Sequence, residues 1–160
     1  MAADLPSKGV SIVSSGAAHT HEHIISAPSL TDFGCKASAQ QAFALAGVTA
    51  KDIDLTAIYD SFTITLLVEL ESVGFFQPGE AGAAFAQGKL DHNGVLPCNT
   101  HGGLLSHGHS GAAGGMYHVV EAVTQLKRSA NARAKPPKLA FVHGDGGILS
   151  AHCSLILARD

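Results

Sequence analysis

Short apolar runs along the chain predict the strands of a sheet. The runs Val10–Ser14, Ile53–Tyr59, Leu139–Val142 and Leu149–Leu157 are rich in aliphatic residues and are bounded by polar, glycine or proline residues. Val95–Asn99 is a shorter extended segment of the same kind. The last two predicted strands are separated by a glycine-rich connection, which favours an antiparallel hairpin.

Helical spacing of apolar residues marks the segments between these strands. Apolar side chains recur every three or four residues over Ala37–Ala46 and Ser61–Val73, and a glycine that can end a helix follows each segment. A short helix is predicted near Ala81–Gln87, and a longer one over Gly111–Arg128 with Ser110 as its N-cap. The middle of the longer helix is apolar on most faces, so we expect it to be buried on several sides.

The order of these elements predicts the fold class. Strands and helices alternate before the terminal hairpin, which predicts an α/β fold with a mixed sheet and helices on its faces. The polar segment Ser129–Lys138 contains two prolines and is predicted to be a loop. We expect residues 1–160 to form one domain, because this length suffices for a single core and no repeat interrupts it.

The amino-acid composition indicates which kinds of partner this chain can bind. Hydrophobic residues make up 46% of the chain and charged residues 14%, against about 25% charge in typical soluble domains. So little charge suggests that part of the surface is covered by another chain or domain. The net charge of −3 argues against an extended nucleic-acid footprint, and no apolar run reaches the roughly 18 residues of a membrane span. The odd number and wide spacing of the cysteines argue against a disulfide framework; they are Cys35, Cys98 and Cys153. The N-terminal residues have no continuous apolar segment, so a secretion signal is not expected. The expected location is the cytoplasm.

The first candidate for chemistry is His109, in the glycine-rich run Ser106–Gly115 ahead of the predicted long helix. A histidine beside a helix N-terminus can donate to a developing oxyanion or act as acid or base near neutral pH. The flanking glycines remove side-chain bulk, so a substrate can approach. The competing interpretation is a glycine-rich turn with solvated histidines.

Two further polar sites follow predicted strands, where ligands tend to bind in α/β sheets. Tyr59 can present its hydroxyl to a cleft as a proton carrier, although an aromatic residue at the edge of the core is the commoner case. Backbone amides of the run His143–Gly147 can form an anion-binding nest, although a plain hairpin turn explains the same residues. Cys98 and Cys153 are interpreted as core or near-core thiols.

Histidine clusters open an alternative of a different class, a metal site. Alternating histidines would share one face of a strand, and three more lie in one loop: His19, His21 and His23, and His101, His107 and His109. Neither set has a nearby carboxylate at a recognised motif spacing apart from Glu22, which would point to the opposite face of a strand. We therefore expect loop histidines and no functional metal.

Taken together, these motifs resemble a known family. Two runs are similar to the thiolase signature Asn-x-x-Gly-Gly … Gly-His-Pro-x-Gly-x-Ser-Gly, namely Asn99-Thr-His-Gly-Gly and Gly108-His-Ser-Gly-Ala-Ala-Gly-Gly. The run Tyr59-Asp-Ser-Phe resembles the thiolase block Asn-Glu-Ala-Phe or His-Asp-Cys-Phe. The run His143-Gly-Asp-Gly-Gly falls where thiolases carry Cys-x-Gly-Gly-Gly. The resemblance covers roughly Val10 to Asp160 and is nearest to sterol-carrier-protein-type thiolases and lipid-transfer-protein-like steroid side-chain aldolases.

The resemblance implies a fold, a substrate and site residues. It implies a thiolase-like C-terminal half with a mixed sheet of five-stranded type and helices on both faces. The implied substrate is an acyl-coenzyme A thioester, with no bound cofactor. By position, His109 matches the motif histidine, Tyr59 the Asn or His of the oxyanion hole, and His143 the second cysteine. Backbone contacts to the thioester are expected at three glycines, Gly108, Gly146 and Gly147.

Departures from the family pattern shape the expected activity. The half that carries the nucleophilic cysteine is absent from this chain, which implies a partner with an N-terminal thiolase half, in a hetero- or homo-oligomer. Claisen thiolysis normally needs the cysteine pair, whereas retro-aldol cleavage needs a base for the hydroxyl and an oxyanion hole. The chain is therefore interpreted as part of a thiolase-like acyltransferase of lipid metabolism. The alternatives are a retro-aldol lyase acting on β-hydroxyacyl-coenzyme A, and a non-catalytic subunit.

Overall fold

The computed structural model describes residues 9–127 and 136–160. The strands are Val10–His19 (β1), Leu55–Ile58 (β2), Leu139–Gly146 (β3) and Ala151–Arg159 (β4). The α-helices are Cys35–Ala46 (α1), Thr63–Val73 (α2), Ala81–Ala86 (α3), Gly103–Ser106 (α4) and Gly114–Lys127 (α5). The predicted end of the long helix at Arg128 and most of the loop predicted over Ser129–Lys138 lie outside the described residues, as does the N-terminal segment 1–8.

The sheet is mixed, as predicted, but its strand count differs from the expected five. The described strands form one four-stranded sheet in the order β1-β4-β3-β2, with β2 and β3 parallel and the other neighbours antiparallel. The extended segment predicted over Val95–Asn99 does not add a fifth strand, because it makes a single parallel bridge between Cys98 and Thr56. Pro97 has no N–H to donate, and Asn99 adopts a φ of 49°, so the ladder cannot extend.

Helices cover both faces of the sheet, which confirms that part of the prediction. On one face α1, α2 and α3 enclose a core that includes Phe43, Leu70 and Phe141. On the other face α5 packs Leu126 against Val142. Phe141 and Val142 are consecutive residues of β3, and side chains of a strand point alternately to its two sides. None of the helices in the described part of the chain has the length and apolar character of a bilayer-crossing segment.

The terminal hairpin is antiparallel, as predicted, but its turn lies further along the chain. β3 continues through Gly146, which pairs with Ala151, and Gly144 pairs with Cys153. Gly144 and Gly146 are paired residues of the ladder. The first residue after them with a left-handed backbone conformation is Gly147, with a φ of 60°. The prediction that His143 lies in the turn is therefore wrong, because the glycines that suggested a turn belong to the ladder.

The long helix begins later than the glycine-rich run suggested. Gly111–Ala113 form a 3-10 turn, and α5 starts at Gly114. Ser110 makes no side-chain capping hydrogen bond. Gly111 has a φ of 69°, which a regular α-helix does not accommodate. The chain therefore turns sharply just after His109 and then enters α5.

Candidate active site

Tyr59 and His109 form a hydrogen-bonded pair at the end of β2. The Tyr59 N–H donates to the His143 carbonyl at 3.0 Å, which places Tyr59 beside the neighbouring strand β3. The Tyr59 Oη lies 2.7 Å from the His109 Nε2, and the two rings are almost perpendicular. The structure thus brings together two of the three residues that the sequence selected.

The backbone beside His109 determines which ring nitrogen carries the proton. The Gly111 N–H donates to the His109 Nδ1 at 2.9 Å. Because Nδ1 accepts, the neutral ring carries its proton on Nε2 and donates it to the Tyr59 Oη. The Tyr59 O–H proton is then available to another acceptor, such as an oxygen of a substrate.

Polar contacts hold the loop that carries His101, His107 and His109, the histidine loop, against β2. The Asn99 amide accepts from the Ile58 N–H and donates to the Ile58 carbonyl, both at 2.8 Å. The buried Asp60 carboxylate accepts from the Leu104 N–H at 2.7 Å, at the start of α4. A Cβ atom at Gly103 would lie 2.1 Å from the Asp60 Oδ2, so only glycine fits there. The Asn-x-x-Gly-Gly run therefore acts as an anchor for the loop.

An apolar cavity of about 420 Å³ opens beside Tyr59. Its walls come from the segment before α1, from the start of α2 and from the β3–β4 turn, and include Ile24, Leu30, Phe33, Phe62, Ile64, Val68, Ile148 and Leu149. Gly146 and Gly147 also line it, whereas Gly108 lies in the exposed histidine loop. The proposed roles of these three glycines stay predictions.

Two ionisable groups of the cavity have raised pKa values. Burial raises the pKa of Asp145 to about 6. Burial, followed by the negative charges of Asp145 and Asp60, raises the pKa of Tyr59 above its usual value near 10. Tyr59 is therefore a neutral phenol at pH 7, suited to donate a proton or a hydrogen bond.

His143 lies behind the cavity and does not line it. It is fully buried in β3, with Nδ1 2.9 Å from the Ser154 Oγ and Nε2 3.1 Å from the His152 Nδ1. Burial, then the neighbouring His152 and His118, lowers the pKa of His143 to about 3, so the ring is neutral at pH 7. A role as proton carrier stays a prediction and would need a route through other groups to reach a substrate.

Sequence reasoning missed two buried polar residues next to His143. Glu69 is fully buried on α2, next to the buried Leu70 in sequence, and His152 is 3% exposed on β4. Each interrupts an apolar pattern at a core position. A polar residue within an otherwise apolar pattern is the sequence signal that could have identified them.

The two histidine sets that the sequence offered as metal-site candidates are not gathered into compact clusters in the described part of the chain. β1 ends at His19, so His19, His21 and His23 do not share a strand face; His21 is buried against Phe33, and the other two are exposed. His101 and His107 contact each other, while His109 turns to Tyr59. Across residues 9–127 and 136–160, neither set brings three donor atoms together.

The cysteines lie away from the Tyr59–His109 pair. Cys35 is buried and Cys98 half-buried, and burial raises their pKa values to about 11 and about 12. Cys153 is exposed, so its interpretation as a core or near-core thiol is wrong. Its side chain falls on the face of β4 opposite to Ser154, near the strand end. All three cysteines are among the described residues, and none of them lines the cavity.

His118 is a buried histidine on α5 beside the pair. Its ring contacts Tyr59 and His101, and its Nε2 lies 3.6 Å from the Asp60 Oδ1, beyond hydrogen-bonding distance. Burial, then the adjacent His101, lowers the pKa of His118 to about 3. The nearby Asp60 carboxylate favours the charged form but does not offset the burial.

We expect His118 to make the fold sensitive to acid. Its folded pKa lies below its unfolded value near 6.5, so its contribution to stability is complete above pH 6.5 and is lost as pH falls toward 3. The loss should reach a few kcal/mol, since one pKa unit corresponds to about 1.4 kcal/mol. Urea unfolding between pH 4 and 8 should show a shallower pH dependence for His118→Gln than for the unaltered chain. The exposed His92→Gln serves as control, and equal slopes for both variants would contradict the expectation.

Comparisons with known proteins show the family to which this chain belongs. The family model described as "Thiolase C-terminal domain-like" matches residues 16–159. An acetyl-CoA acetyltransferase from Methanothermobacter thermautotrophicus is 35% identical over 119 residues, covering 72% of this chain and 31% of that protein. A steroid side-chain-cleaving aldolase from Thermomonospora curvata is 45% identical over 78 residues, covering 46% of this chain and 20% of that protein.

A solved structure extends the similarity to nearly the whole chain. The Ltp2-ChsH2(DUF35) aldolase superposes with a TM-score of 0.83 at 29% sequence identity. The alignment covers 99% of this chain and 41% of the other. This chain thus spans less than half the length of the solved structure, and a third or less of the two curated relatives named above.

Proposed function

Because this chain belongs to the thiolase C-terminal domain-like family, we propose that it supplies acid–base and oxyanion-binding side chains for carbon–carbon bond chemistry on an acyl-coenzyme A thioester. Within that class, we propose retro-aldol cleavage of a β-hydroxyacyl thioester rather than thiolysis. The observation that carries this choice is the Tyr59–His109 pair, 2.7 Å apart at the apolar cavity. A phenol hydrogen-bonded to an imidazole handles protons on oxygen. Thiolysis normally needs a pair of cysteines, of which this half would supply the second, and none of the three cysteines of this chain lines the cavity.

The proposed cleavage step uses Tyr59 on the β-hydroxyl of the substrate. The phenolate form of Tyr59 takes the hydroxyl proton, the oxygen lone pair forms a carbonyl, and the Cα–Cβ bond breaks. The electron pair of that bond moves into the thioester as an enolate, which then takes a proton from water. The hydroxide left by that water takes the proton from Tyr59 and so restores the phenolate. In the condensing direction the neutral phenol returns the same proton to the alkoxide.

His109 supports this step through its hydrogen bond. Its Nε2–H points to the Tyr59 Oη and so stabilises the phenolate when Tyr59 has given up its proton. The family resemblance also implies that His109 donates to a thioester oxyanion, and for that role its Nε2–H would have to turn from the Tyr59 Oη to the substrate oxygen, because Nδ1 accepts from the Gly111 N–H. The apolar walls of the cavity suit an apolar acyl group.

We also propose that the chain acts together with a thiolase-like N-terminal half. The matched relatives extend well beyond the part that this chain covers. Met116 and Val120 on α5 are 57% and 59% exposed, so an apolar strip of this helix is available for contact with another chain or domain. A cytoplasmic location stays a prediction.

The test is co-purification followed by assays on what is recovered. A tagged chain isolated from its own source is expected to bring down a partner with an N-terminal thiolase-like half, at a native mass above that of the chain. The complex should cleave β-hydroxyacyl-coenzyme A substrates to a carbonyl product and a shorter acyl-coenzyme A. The control assay supplies free coenzyme A with a β-ketoacyl-coenzyme A.

Two results would count against these proposals. Faster turnover of the β-ketoacyl substrate would favour thiolysis over retro-aldol cleavage. Recovery of only the free chain or its self-dimer, without acyl-coenzyme A binding, would favour a non-catalytic subunit.

A further inference from the structure

Three polar side chains from three elements meet beside the cavity. They are Glu69 of α2, His143 of β3 and His152 of β4, and each is at most 3% exposed. The His143 Nε2 lies 3.1 Å from the His152 Nδ1 and 3.9 Å from the Glu69 Oε1. One donor atom from each residue lies within 4.8 Å of the other two.

The Glu69 carboxylate is the first indication that this cluster binds a ligand. Both of its oxygens are buried, and neither has a hydrogen-bond partner among the described residues. An unpaired buried carboxyl group costs several kcal/mol relative to water unless a proton or a cation compensates it. The nearest nitrogen, the His143 Nε2, is 3.9 Å away, too far for a hydrogen bond.

The hydrogen bond made by His152 is the second indication. The His152 Nε2 lies 3.0 Å from the Leu149 carbonyl oxygen, which can only accept. Nε2 therefore carries the proton in the neutral ring, and the Nδ1 lone pair faces the cluster. A backbone carbonyl that holds the second nitrogen in this way is the usual arrangement for a histidine that binds a metal.

A chain of hydroxyl groups can orient His143 in the same way. The His143 Nδ1 lies 2.9 Å from the Ser154 Oγ, which lies 2.9 Å from the Ser38 Oγ. The Ser38 hydroxyl donates to the Cys35 carbonyl at 3.0 Å. If Nδ1–H donates to Ser154 and Ser154 donates to Ser38, every proton of the chain has an acceptor. The Nε2 lone pair then also faces the cluster.

We propose that Glu69, His143 and His152 bind a divalent transition-metal ion of the zinc type. Two imidazole nitrogens and one carboxylate oxygen are donors that zinc accepts. Bonds of about 2.0–2.1 Å in a tetrahedral site place donor atoms about 3.4 Å apart, and the two distances of 3.1 and 3.9 Å lie on either side of that value. Three protein ligands leave one position for water. These residues differ from both histidine sets that the sequence suggested.

The neighbours of the cluster place it next to the cavity. Asp145 follows His143 by two residues on the same side of β3, and Val68 directly precedes Glu69; both line the cavity. Leu149, whose carbonyl holds His152, lines it as well. The site therefore lies directly behind the cavity wall, and its occupancy does not depend on the proposed acyl-coenzyme A chemistry.

The metal content of the purified full chain tests this proposal. Protein prepared without chelators and dialysed against trace zinc should retain about one zinc per chain by elemental analysis. A titration against a chromophoric chelator gives the affinity. Glu69→Gln keeps the side-chain shape but removes the negative charge, and His152→Gln removes a ligand; both should lose stoichiometric zinc. Ser154→Ala, which alters only the support of His143, should weaken binding by about 10–100-fold.

The matched control is His92→Ala, which removes an exposed histidine far from the cluster in sequence and should leave zinc binding unchanged. Thermal unfolding with and without zinc separates misfolding from lost binding, because zinc should raise the Tm of the unaltered chain and not that of Glu69→Gln. Metal-free protein that binds no added zinc would overturn the proposal. So would equal zinc binding by Glu69→Gln and His92→Ala, and the cluster would then be a hydrogen-bonded histidine pair beside a protonated glutamate.

Discussion

Replacing Tyr59 by Phe is expected to lower the kcat of the assembled enzyme by about 10²–10⁴-fold, the usual contribution of a positioned acid or base. The substitution removes only the hydroxyl that lies 2.7 Å from the His109 Nε2, so the ring should keep its packing. Because the proposed role is in proton transfer, kcat should fall much more than KM rises. The measurement is steady-state cleavage of a β-hydroxyacyl-coenzyme A by the complex.

Two variants of His109 test its part in the same step. His109→Ala removes the donor to the Tyr59 Oη, whereas the amide of His109→Gln can return an N–H near the Nε2 position. The glutamine variant should therefore retain more activity than the alanine variant. Since Tyr59 and His109 act as a unit, the double variant should lose little more than the single variants. The exposed His107→Ala in the same loop is the control.

The pH dependence gives an independent readout for Tyr59. Burial and the nearby carboxylates raise the pKa of Tyr59, so the phenolate is a minor form at neutral pH and increases as pH rises. Cleavage that depends on the phenolate should therefore become faster with rising pH, and this rise should disappear in Tyr59→Phe. Full activity of Tyr59→Phe with an unchanged pH profile would contradict the proposed role.

Replacing Gly103 by Ala is expected to destabilise the fold by about 2–5 kcal/mol. Gly103 has a φ of 67°, a left-handed conformation that costs a residue with a Cβ about 1–2 kcal/mol. The new Cβ would also lie 2.1 Å from the buried Asp60 Oδ2, and overpacking costs a further 1–3 kcal/mol or so. Moving the Asp60 carboxylate would disturb its bond to the Leu104 N–H.

The matched control separates the two causes. Gly79 also has a left-handed φ, 88°, but a Cβ there would meet nothing within 4 Å. Gly79→Ala should therefore lower the free energy of unfolding in urea only by the cost of the left-handed conformation, about 1–2 kcal/mol. Gly103→Ala should also lower activity, because the anchored loop carries His109. Equal losses of stability for the two variants would show that the contact with Asp60 does not restrict this position.

Much of the architecture follows from local patterns in the sequence. The helices α1 and α2 were predicted from apolar spacing and from glycines that end helices, and Gly47 and Gly74 do adopt left-handed φ at their ends. Such signals depend on neighbouring residues, so they are readable without the fold. The Tyr59 and His109 motifs are local in the same way, and their order along the chain indicated the family.

Contacts between distant residues could be decided only by the tertiary structure. The register of β3 against β4 placed His143 in a buried strand, because Gly144 and Gly146 can pair in a ladder as easily as they can turn. The docking of α2 on the sheet brought Glu69 to His143 and His152, and no sequence spacing encodes that meeting. The sequence determined which side chains can carry protons or bind a ligand. The packing of helices on strands decided which of them meet, since close contact depends on the whole fold and not on local periodicity.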